Sequence, residues 1–184
     1  ALAGPFSWHL VPGFIAAQFL GAFVGAILVF LVYRDHYLAS TDPDAKLATF
    51  STSPAIRNLP SNLLSEVVGT FVLIFAVLLA VEPTIVRSET IDPDFPALKI
   101  GLGTLGALPV ALLVLSIGLS LGGTTGYAIN PARDLGPRIA HAILPIPGKR
   151  DSDWKYALVP VLGPVIGALI AVLLWTTLQS PAIS

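Results

Sequence analysis

The residues best suited to bind a ligand lie in one stretch, from Gly122 to Pro137, which reads GGTTGYAINPARDLGP. Asn130 and Arg133 within it offer an amide and a guanidinium, both hydrogen-bond donors. Asn is a favoured N-cap, and Pro is favoured as the first helical residue because its missing N–H would have no partner there. The sequence therefore predicts a short helix that begins at Asn130. Because apolar segments long enough to cross a membrane lie on both sides, the stretch is predicted to line a pore or a binding site.

The composition is that of a membrane protein. Of the 184 residues, 54% are hydrophobic and 11% are charged, and the mean hydropathy is +0.81; soluble domains contain about 25% charged residues. The absence of cysteine excludes disulfides and cysteine metal sites, and three scattered histidines form no ligand cluster. A net charge of −1 offers no basic face for nucleic acid. Since the sequence also shows no nucleotide loop and no nucleophile with a base, we expect no catalytic residues, no metal and no cofactor.

Four apolar segments are long enough to cross a bilayer, which takes about 20 residues. They are Val11–Tyr33, Leu63–Val81, about Leu105–Leu121, and Tyr156–Leu178. Polar segments separate them over residues 34–60, 82–99 and 146–155. Residues 100–141 hold the third of these spans, the glycine-rich loop and the half-helix, which Pro137 is expected to keep short or kinked.

Two polar side chains interrupt the spans, Gln18 in the first and Glu66 in the second. An ionisable group inside a span is costly unless it finds partners, so Glu66 is expected to face the interior of the bundle. The alternative is a carboxyl group close to the interface that reaches water. Gln18 is likewise expected to face protein.

The first and last spans resemble each other. Each contains Leu-Val-Pro and, further on, a GxxxGA segment, with glycine pairs at Gly21 and Gly25 and at Gly163 and Gly167. Such pairs let a neighbouring helix approach closely, and duplicated helices are common in proteins that pass solutes.

A duplicated plan would place a half-helix with its own Asn-Pro motif before the first span. The separation from Asn130 to Gly163 is 33 residues, and counting 33 back from Gly21 falls before Ala1. We therefore expect the partner motif to precede this chain, which opens without Met.

The segment GYAINPARDLGP, residues 126–137, resembles the second signature loop of the major intrinsic proteins, the aquaporins and glycerol facilitators. Asn-Pro-Ala alone occurs by chance, but not followed by Arg-Asp-x-Gly-Pro and set between two spans. The resemblance covers essentially all 184 residues and implies an all-α membrane protein, an aquaporin-like helical bundle with an inverted repeat. Residues 1–184 would form a single domain that holds spans three to six and the second re-entrant half-helix. The first two spans and the first half-helix are expected outside it.

Within that family the resemblance favours the glycerol facilitators. Asp134 directly after Arg133 is typical of that branch, as is a small residue at Gly118, where water-selective members place His. Tyr127 stands at the aromatic position of the selectivity filter, which is usually Phe in glycerol facilitators. This departure adds a hydroxyl to the narrowest part of the pore and leaves several solutes as candidates.

The resemblance also implies roles for the filter residues. Arg133 would hold solute hydroxyls or water and repel cations; its alternative is a surface arginine paired with Asp134. Tyr127 would offer a ring and a hydroxyl to the solute, or else act as an interfacial aromatic. Gly118 would leave room for the solute, or else serve helix packing.

Asn130 is expected to donate its side-chain amide to solute at the pore centre, where Pro131 and Ala132 complete the motif. Its alternative is a plain N-cap. The positive end of the half-helix would disfavour cations at this point.

The loop before Asn130 would supply acceptors. The carbonyls of Gly126, Tyr127 and Ala128 are expected to accept hydrogen bonds from passing hydroxyls, because carbonyls at this depth need such partners or water. Glu66 resembles the buried carboxylate that braces this loop in the family, and Asp134 is expected to support the loop with it.

The implied function is a passive channel for glycerol and other small uncharged solutes, with some water permeability. One alternative is a water-selective or small-acid-permeable channel of the same family. Two others are a coupled secondary transporter, since these also use broken helices and inverted repeats, and a member that keeps the fold without conducting. The expected partners are glycerol, small neutral solutes, water and membrane lipid, without nucleic acid. The expected state is a homotetramer in a bacterial plasma membrane.

Overall fold

The computed structural model describes residues 1–80, 84–85, 98–99 and 102–179. Within these residues the α-helices are α1 (Val11–Val32), α2 (Arg34–Ala39), α3 (Pro43–Ala48), α4 (Leu59–Leu79), α5 (Leu108–Thr125), α6 (Pro131–Ile143) and α7 (Leu158–Gln179). The other described elements are the 3-10 helices Trp8–Leu10 and Gly103–Ala107 and the antiparallel strands β1 (Thr84–Ile85) and β2 (Leu98–Lys99). Most of the predicted polar loop 82–99 lies outside the described residues.

Four helical segments are long and apolar enough to cross a membrane, as the sequence predicted. They are Trp8–Val32, Leu59–Leu79, Leu105–Thr125 and Leu158–Gln179. The predicted all-α class is confirmed, and the paired strands of two residues each are a local exception.

Two helix boundaries depart from the prediction where capping residues decide them. α4 begins at Leu59 rather than Leu63, because Asn58 accepts a hydrogen bond from the N–H of Ser61 (3.3 Å) and a proline lies in the first turn. α5 continues to Thr125, because Gly126 provides a left-handed C-cap with φ of 80°. The polar segment before Gly126 is therefore helical.

The glycine pair in α7 packs directly on α4. A Cβ atom at Gly163 would lie 2.4 Å from the Cβ of Glu66, and one at Gly167 would lie 2.3 Å from the carbonyl oxygen of Val67. Residue numbers rise together along the contact, so α4 and α7 run parallel. This GxxxG pair thus joins two spans of the same chain at backbone distance.

The half-helix α6 packs on α1. A Cβ atom at Gly136 would lie 3.0 Å from the carbonyl oxygen of Phe19 and 3.1 Å from the Cβ of Ala22. Beyond this contact lies a hydrophobic core formed by Ala26, Phe30, Tyr37, Phe50, Ala140 and Ile146. The contact fixes the half-helix against the first span.

α6 is a half-length helix without a break. Its 13 residues correspond to about 20 Å at 1.5 Å per residue, against about 30 Å for the hydrocarbon core. Pro137 lies inside the helix and does not end it. At the C-terminus, the Nζ of Lys149 donates to the carbonyls of His141 (2.6 Å), Ala142 (2.9 Å) and Leu144 (2.7 Å). Partial burial lowers the pKa of Lys149, and its cation suits the negative end of the helix.

Candidate functional site

The loop between α5 and α6 is held from one side through its N–H groups. The N–H of Ala128 donates to one carboxylate oxygen of Glu66 (2.8 Å) and the N–H of Ile129 donates to the other (2.7 Å). The N–H of Tyr127 donates to the hydroxyl of Thr125 (3.0 Å). Glu66 is 1% exposed, so the structure places it behind the loop, where the sequence predicted a brace.

The backbone conformation of this loop is unusual. Tyr127 and Ile129 have φ of 41° and 43°, in the left-handed region that side chains other than glycine rarely adopt. Such conformations persist only where the surroundings over-determine them, and cluster at functional sites. Here the carboxylate of Glu66 and the adjacent Gly126 are the surroundings that impose it.

The carbonyls of the same loop are left available. In the described part of the chain, no donor is hydrogen-bonded to the carbonyls of Gly126, Tyr127 or Ala128. Tyr127 is 38% exposed, whereas Ala128 is buried. A row of acceptors without protein partners suits a solute that carries hydroxyl groups.

Asn130 begins the half-helix as predicted. Its side-chain oxygen accepts hydrogen bonds from the N–H of Ala132 (2.9 Å) and, at 3.4 Å, from the N–H of Arg133, and Pro131 is the first helical residue. The side-chain amide of Asn130 has no acceptor among the described residues. Capping and donation to a ligand are therefore compatible, because they use different atoms.

Arg133 lies at an open depression of about 430 Å³ between α1 and the start of α6. Asn130, Ala132, Gln18 and Gly21 line it together with Arg133. Within the described residues the guanidinium makes no ion pair, so Arg133 is not the surface arginine paired with Asp134 that the sequence left as an alternative. The depression thus joins, at one helix N-terminus, an amide and a guanidinium that have no partner among the residues described.

Gly118 gives room to the ring of Tyr127. A Cβ atom at Gly118 would lie 3.0 Å from Cε2 and 3.1 Å from Cζ of that ring, and one at Gly122 would lie 3.8 Å from Cδ1. The contact of Gly118 is therefore with the loop aromatic rather than with another helix. Because Gly118 has no side chain, the ring of Tyr127 can lie close to α5.

Asp134 faces away from Arg133 and is fully buried. Its Oδ1 accepts from the Nε of Arg138 (2.8 Å), and its Oδ2 accepts from the Nη2 of Arg138 (3.0 Å) and from the N–H (2.7 Å) and hydroxyl (2.6 Å) of Thr52. The structure thus ties the helix that carries Arg133 to the segment around Thr52.

Arg138 is the residue that the sequence analysis missed. It is 0% exposed, and it also donates to the carbonyls of Ser152 (2.7 Å), Asp153 (3.1 Å) and Thr52 (3.1 Å). With the two bonds to Asp134, all five guanidinium N–H groups are used. The signal that could have found it is the spacing of Asp134 and Arg138, an acid and a base four residues apart on a predicted helix.

The segment fixed by Arg138 packs against the loop between α5 and α6. A Cβ atom at Gly126 would lie 2.8 Å from the Cβ of Thr52 and 3.2 Å from the N of Ser53. The N–H of Ala55 also donates to the carbonyl of Gly123 (3.0 Å). The loop is therefore held between Glu66 on one side and the segment around Thr52 on the other.

A capped half-helix, a loop held by a buried carboxylate and four apolar spans define a multi-pass membrane protein of the aquaporin-like helical class. The chain belongs to the major intrinsic protein family, because the family model described as "Major intrinsic protein" matches residues 1–175. The family resemblance inferred from residues 126–137 is thereby confirmed.

The chain is similar in sequence to several named proteins. The chain is 54% identical over 178 residues to the "Probable glycerol uptake facilitator protein" of Thermotoga maritima, covering 97% of this chain and 69% of that protein. It is 51% identical over 167 residues to the "Glycerol uptake facilitator protein" of Bacillus subtilis, covering 91% and 55%. It is 44% identical over 174 residues to the "D/L-lactic acid transporter" of Lactiplantibacillus plantarum, covering 92% and 66%. The chain thus spans between about half and about two thirds of these proteins' lengths.

A solved structure has the same fold. The aquaglyceroporin from Plasmodium falciparum superposes with a TM-score of 0.72 at 29% sequence identity, over 96% of this chain and 67% of that one. The aquaporin-like fold predicted from the sequence is therefore confirmed.

Proposed function

We propose that the protein acts as a passive channel for glycerol and similar small uncharged solutes, with some water permeability. The observation that carries this proposal is the division of the pore loop into two sides. Glu66 binds the N–H groups of Ala128 and Ile129, which leaves the carbonyls as acceptors, while Asn130 and Arg133 offer donors. Relatives more than 50% identical are named as glycerol uptake facilitators.

A polyol matches this pattern of groups. Its hydroxyls can donate to the carbonyls of residues 126–128 and accept from Arg133 and Asn130, while its carbon atoms lie against the ring of Tyr127. Gly118 sets the width by deciding where that ring lies. The fixed charge of Arg133 and the positive end of α6 disfavour cations.

The flux is proposed to be passive and not coupled to a protonation or ion-binding step. Among the described residues of α1, α4, α5 and α7, Glu66 is the ionisable side chain, and its two oxygens are already bound to backbone amides. A coupled transporter needs a group that changes protonation or ion occupancy during the cycle. A carboxylate that holds the loop is poorly suited to that task.

The open side of the depression at Arg133 is proposed to be closed by a second half-helix with an Asn-Pro-Ala-like motif, which also brings a second filter aromatic. Two observations support this: the depression lined by Asn130, Ala132 and Arg133 is open, and the named relatives are longer than the matched segment. Homotetrameric assembly in a bacterial plasma membrane is part of the same proposal.

The test is solute flux into vesicles that contain the full-length protein, followed by stopped-flow light scattering. We expect glycerol entry well above that of protein-free vesicles, linear in glycerol concentration and indifferent to proton or sodium gradients. Saturable, gradient-dependent entry would instead establish a coupled transporter. Entry no faster than in empty vesicles would identify a member of the fold that does not conduct.

A second candidate solute is a protonated small acid. One relative, 44% identical, is named as a lactic acid transporter, and Tyr127 adds a hydroxyl at the filter position. The same vesicles would be exposed to lactic acid at pH 4 and pH 7. Faster entry than glycerol at pH 4, lost at pH 7 because the ionised acid cannot pass, would make the neutral acid the preferred solute. Water entry without entry of either solute would establish a water-selective channel.

A further inference from the structure

An apolar groove of about 310 Å³ runs between the beginnings of α4 and α7. Leu59 and Leu63 line one side, and Leu158 and Leu162 line the other. Leu59, Leu158 and Leu162 are 44%, 63% and 46% exposed. Next to it the two helices close to backbone contact at Gly163, which gives the groove a floor.

One cation stands at the mouth of this groove. Lys155 lines it, is exposed, and makes no ion pair or hydrogen bond with any residue that the structure describes. The nearby carboxylates are committed elsewhere, since Asp153 pairs with Arg57 and Asp151 pairs with Arg150. Among the described residues, the charge of Lys155 is therefore uncompensated at the point where the apolar groove meets the aqueous side.

Two helix ends add to this positive potential. α4 and α7 run parallel and begin at Leu59 and Leu158, both of which line the groove. Helix N-termini carry partial positive charge that attracts anions within the first turn. A negative group at the mouth of the groove would thus meet Lys155 and two helix ends at once.

We propose that this groove binds one phospholipid with an anionic headgroup. The phosphate lies against Lys155, and one acyl chain lies between the leucines of α4 and α7. The occupant is a lipid because the groove is apolar and opens outward from two membrane spans, while its mouth is cationic. A zwitterionic lipid such as phosphatidylcholine brings its own cation with the phosphate, so it would compensate the charge of Lys155 less than an anionic lipid would.

A second groove of similar volume provides the internal control. It also measures about 310 Å³ and is lined by Phe30, Leu31 and Arg34. It lies at the same aqueous side, because α1 ends where the segment leading to α4 begins. There Asp35 directly follows Arg34 in the sequence, and the groove lacks the two helix beginnings, of α4 and α7, that meet at Lys155. Arg34→Gln therefore removes one cation from the same face without touching the Lys155 groove.

The experiment counts and titrates bound lipid. Full-length protein is delipidated in detergent, titrated separately with dioleoylphosphatidylglycerol and dioleoylphosphatidylcholine, and examined by native mass spectrometry. We expect tighter binding of phosphatidylglycerol by the parent protein. Lys155→Gln should weaken that binding about fivefold, the factor that corresponds to about 1 kcal/mol per cation at an anionic headgroup. Arg34→Gln should bind both lipids like the parent.

A second variant tests the groove itself. Leu162→Trp should fill it and weaken binding of both lipids, and inorganic phosphate should fail to displace phosphatidylglycerol. Parent-like binding by Lys155→Gln would overturn the proposal, as would equal weakening by Arg34→Gln, which would indicate diffuse surface charge. Full displacement by phosphate would contradict the proposal, because it would show that the acyl chain contributes nothing to binding. A changed number of chains per particle in Leu162→Trp with lipid binding intact would assign the groove to a second copy of the protein.

Discussion

The first and last spans, α1 and α7, carry the same glycine pattern but differ in what it contacts. In α7, Gly163 and Gly167 lie against the backbone and first side-chain atoms of α4. In α1, a Cβ atom at Gly21 or Gly25 would meet nothing within 4 Å among the described residues. A small-residue pattern therefore indicates a surface that can accept a helix, and the partner has to be found in three dimensions.

The contact on the α7 side also has a consequence for the loop between α5 and α6. Because Gly163 has no side chain, Glu66 can lie between α4 and α7 and reach the N–H groups of Ala128 and Ile129. On the α1 side, the polar residue Gln18 lines the open depression and is exposed. The closed side of the molecule holds the loop, whereas the open side presents the groups that a solute or a second half-helix would meet.

The largest effect should come from breaking the closed side at Arg138. Arg138→Gln leaves the buried carboxylate of Asp134 without its charged partner, which should lower the free energy of unfolding by about 3–5 kcal/mol. Arg150→Gln is the matched control, because its carboxylate partners Asp44 and Asp151 are exposed and such pairs contribute at most about 1 kcal/mol. Thermal unfolding of the purified full-length variants measures both. Equal losses would mean that the buried network does not hold the closed side together.

The next effect concerns the glycine contacts themselves. Gly163→Val should lower the free energy of unfolding by about 1–3 kcal/mol, because it forces α4 and α7 apart. Gly21→Val in the full-length protein should cost a similar amount if a helix lies on α1 as closely as α4 lies on α7. The same unfolding measurement compares them. If Gly21→Val leaves the free energy of unfolding unchanged, no helix packs closely on this face of α1. The two spans would then share the glycine pattern in sequence but not its role in packing.

Glu66→Gln should affect transport as well as stability. A glutamine can accept from one loop N–H but turns an NH₂ group toward the other, which should cost about 1–3 kcal/mol. We expect glycerol flux per inserted protein to fall, because the loop carbonyls lose their fixed position. Thr70→Val is the control in the same helix, since the buried Thr70 hydroxyl has no partner among the described residues. Flux unchanged in Glu66→Gln would remove Glu66 from the mechanism.

The smallest effect on folding should come from the open side. Arg133 is exposed and has no ion pair among the described residues, so Arg133→Val should change the free energy of unfolding by at most about 0.5 kcal/mol. The permeability ratio of glycerol to water should nevertheless fall, and polyols larger than glycerol should enter. Stopped-flow measurements on the same vesicles give each permeability. A large loss of stability with selectivity retained would place Arg133 with the structural residues.

The sequence predicted those parts of the structure that local rules decide. The start of α6 follows from Asn130 and Pro131, and the four spans follow from apolar length. The role of Arg138 could be inferred only in part, because its i, i+4 spacing from Asp134 indicates that pair, whereas its carbonyl partner Thr52 lies 86 residues away and no pattern in the sequence links those two. The contact between Gly118 and Tyr127 could not be predicted either. It depends on where the Tyr127 ring lies, and the left-handed backbone of the loop determines that position.

The conformation of Tyr127 and Ile129 has a consequence for how the passage could diversify. In the proposed channel, the acceptors offered to a solute there are main-chain oxygens, which no point mutation can delete. Substitutions at Gly118, Tyr127 or Arg133 can alter the bore and its wetting, but the ladder of oxygens persists as long as one carboxylate keeps the chain turned. Under the proposed function, related proteins would therefore vary in the size of the solutes they admit more readily than in their preference for solutes with hydroxyl groups.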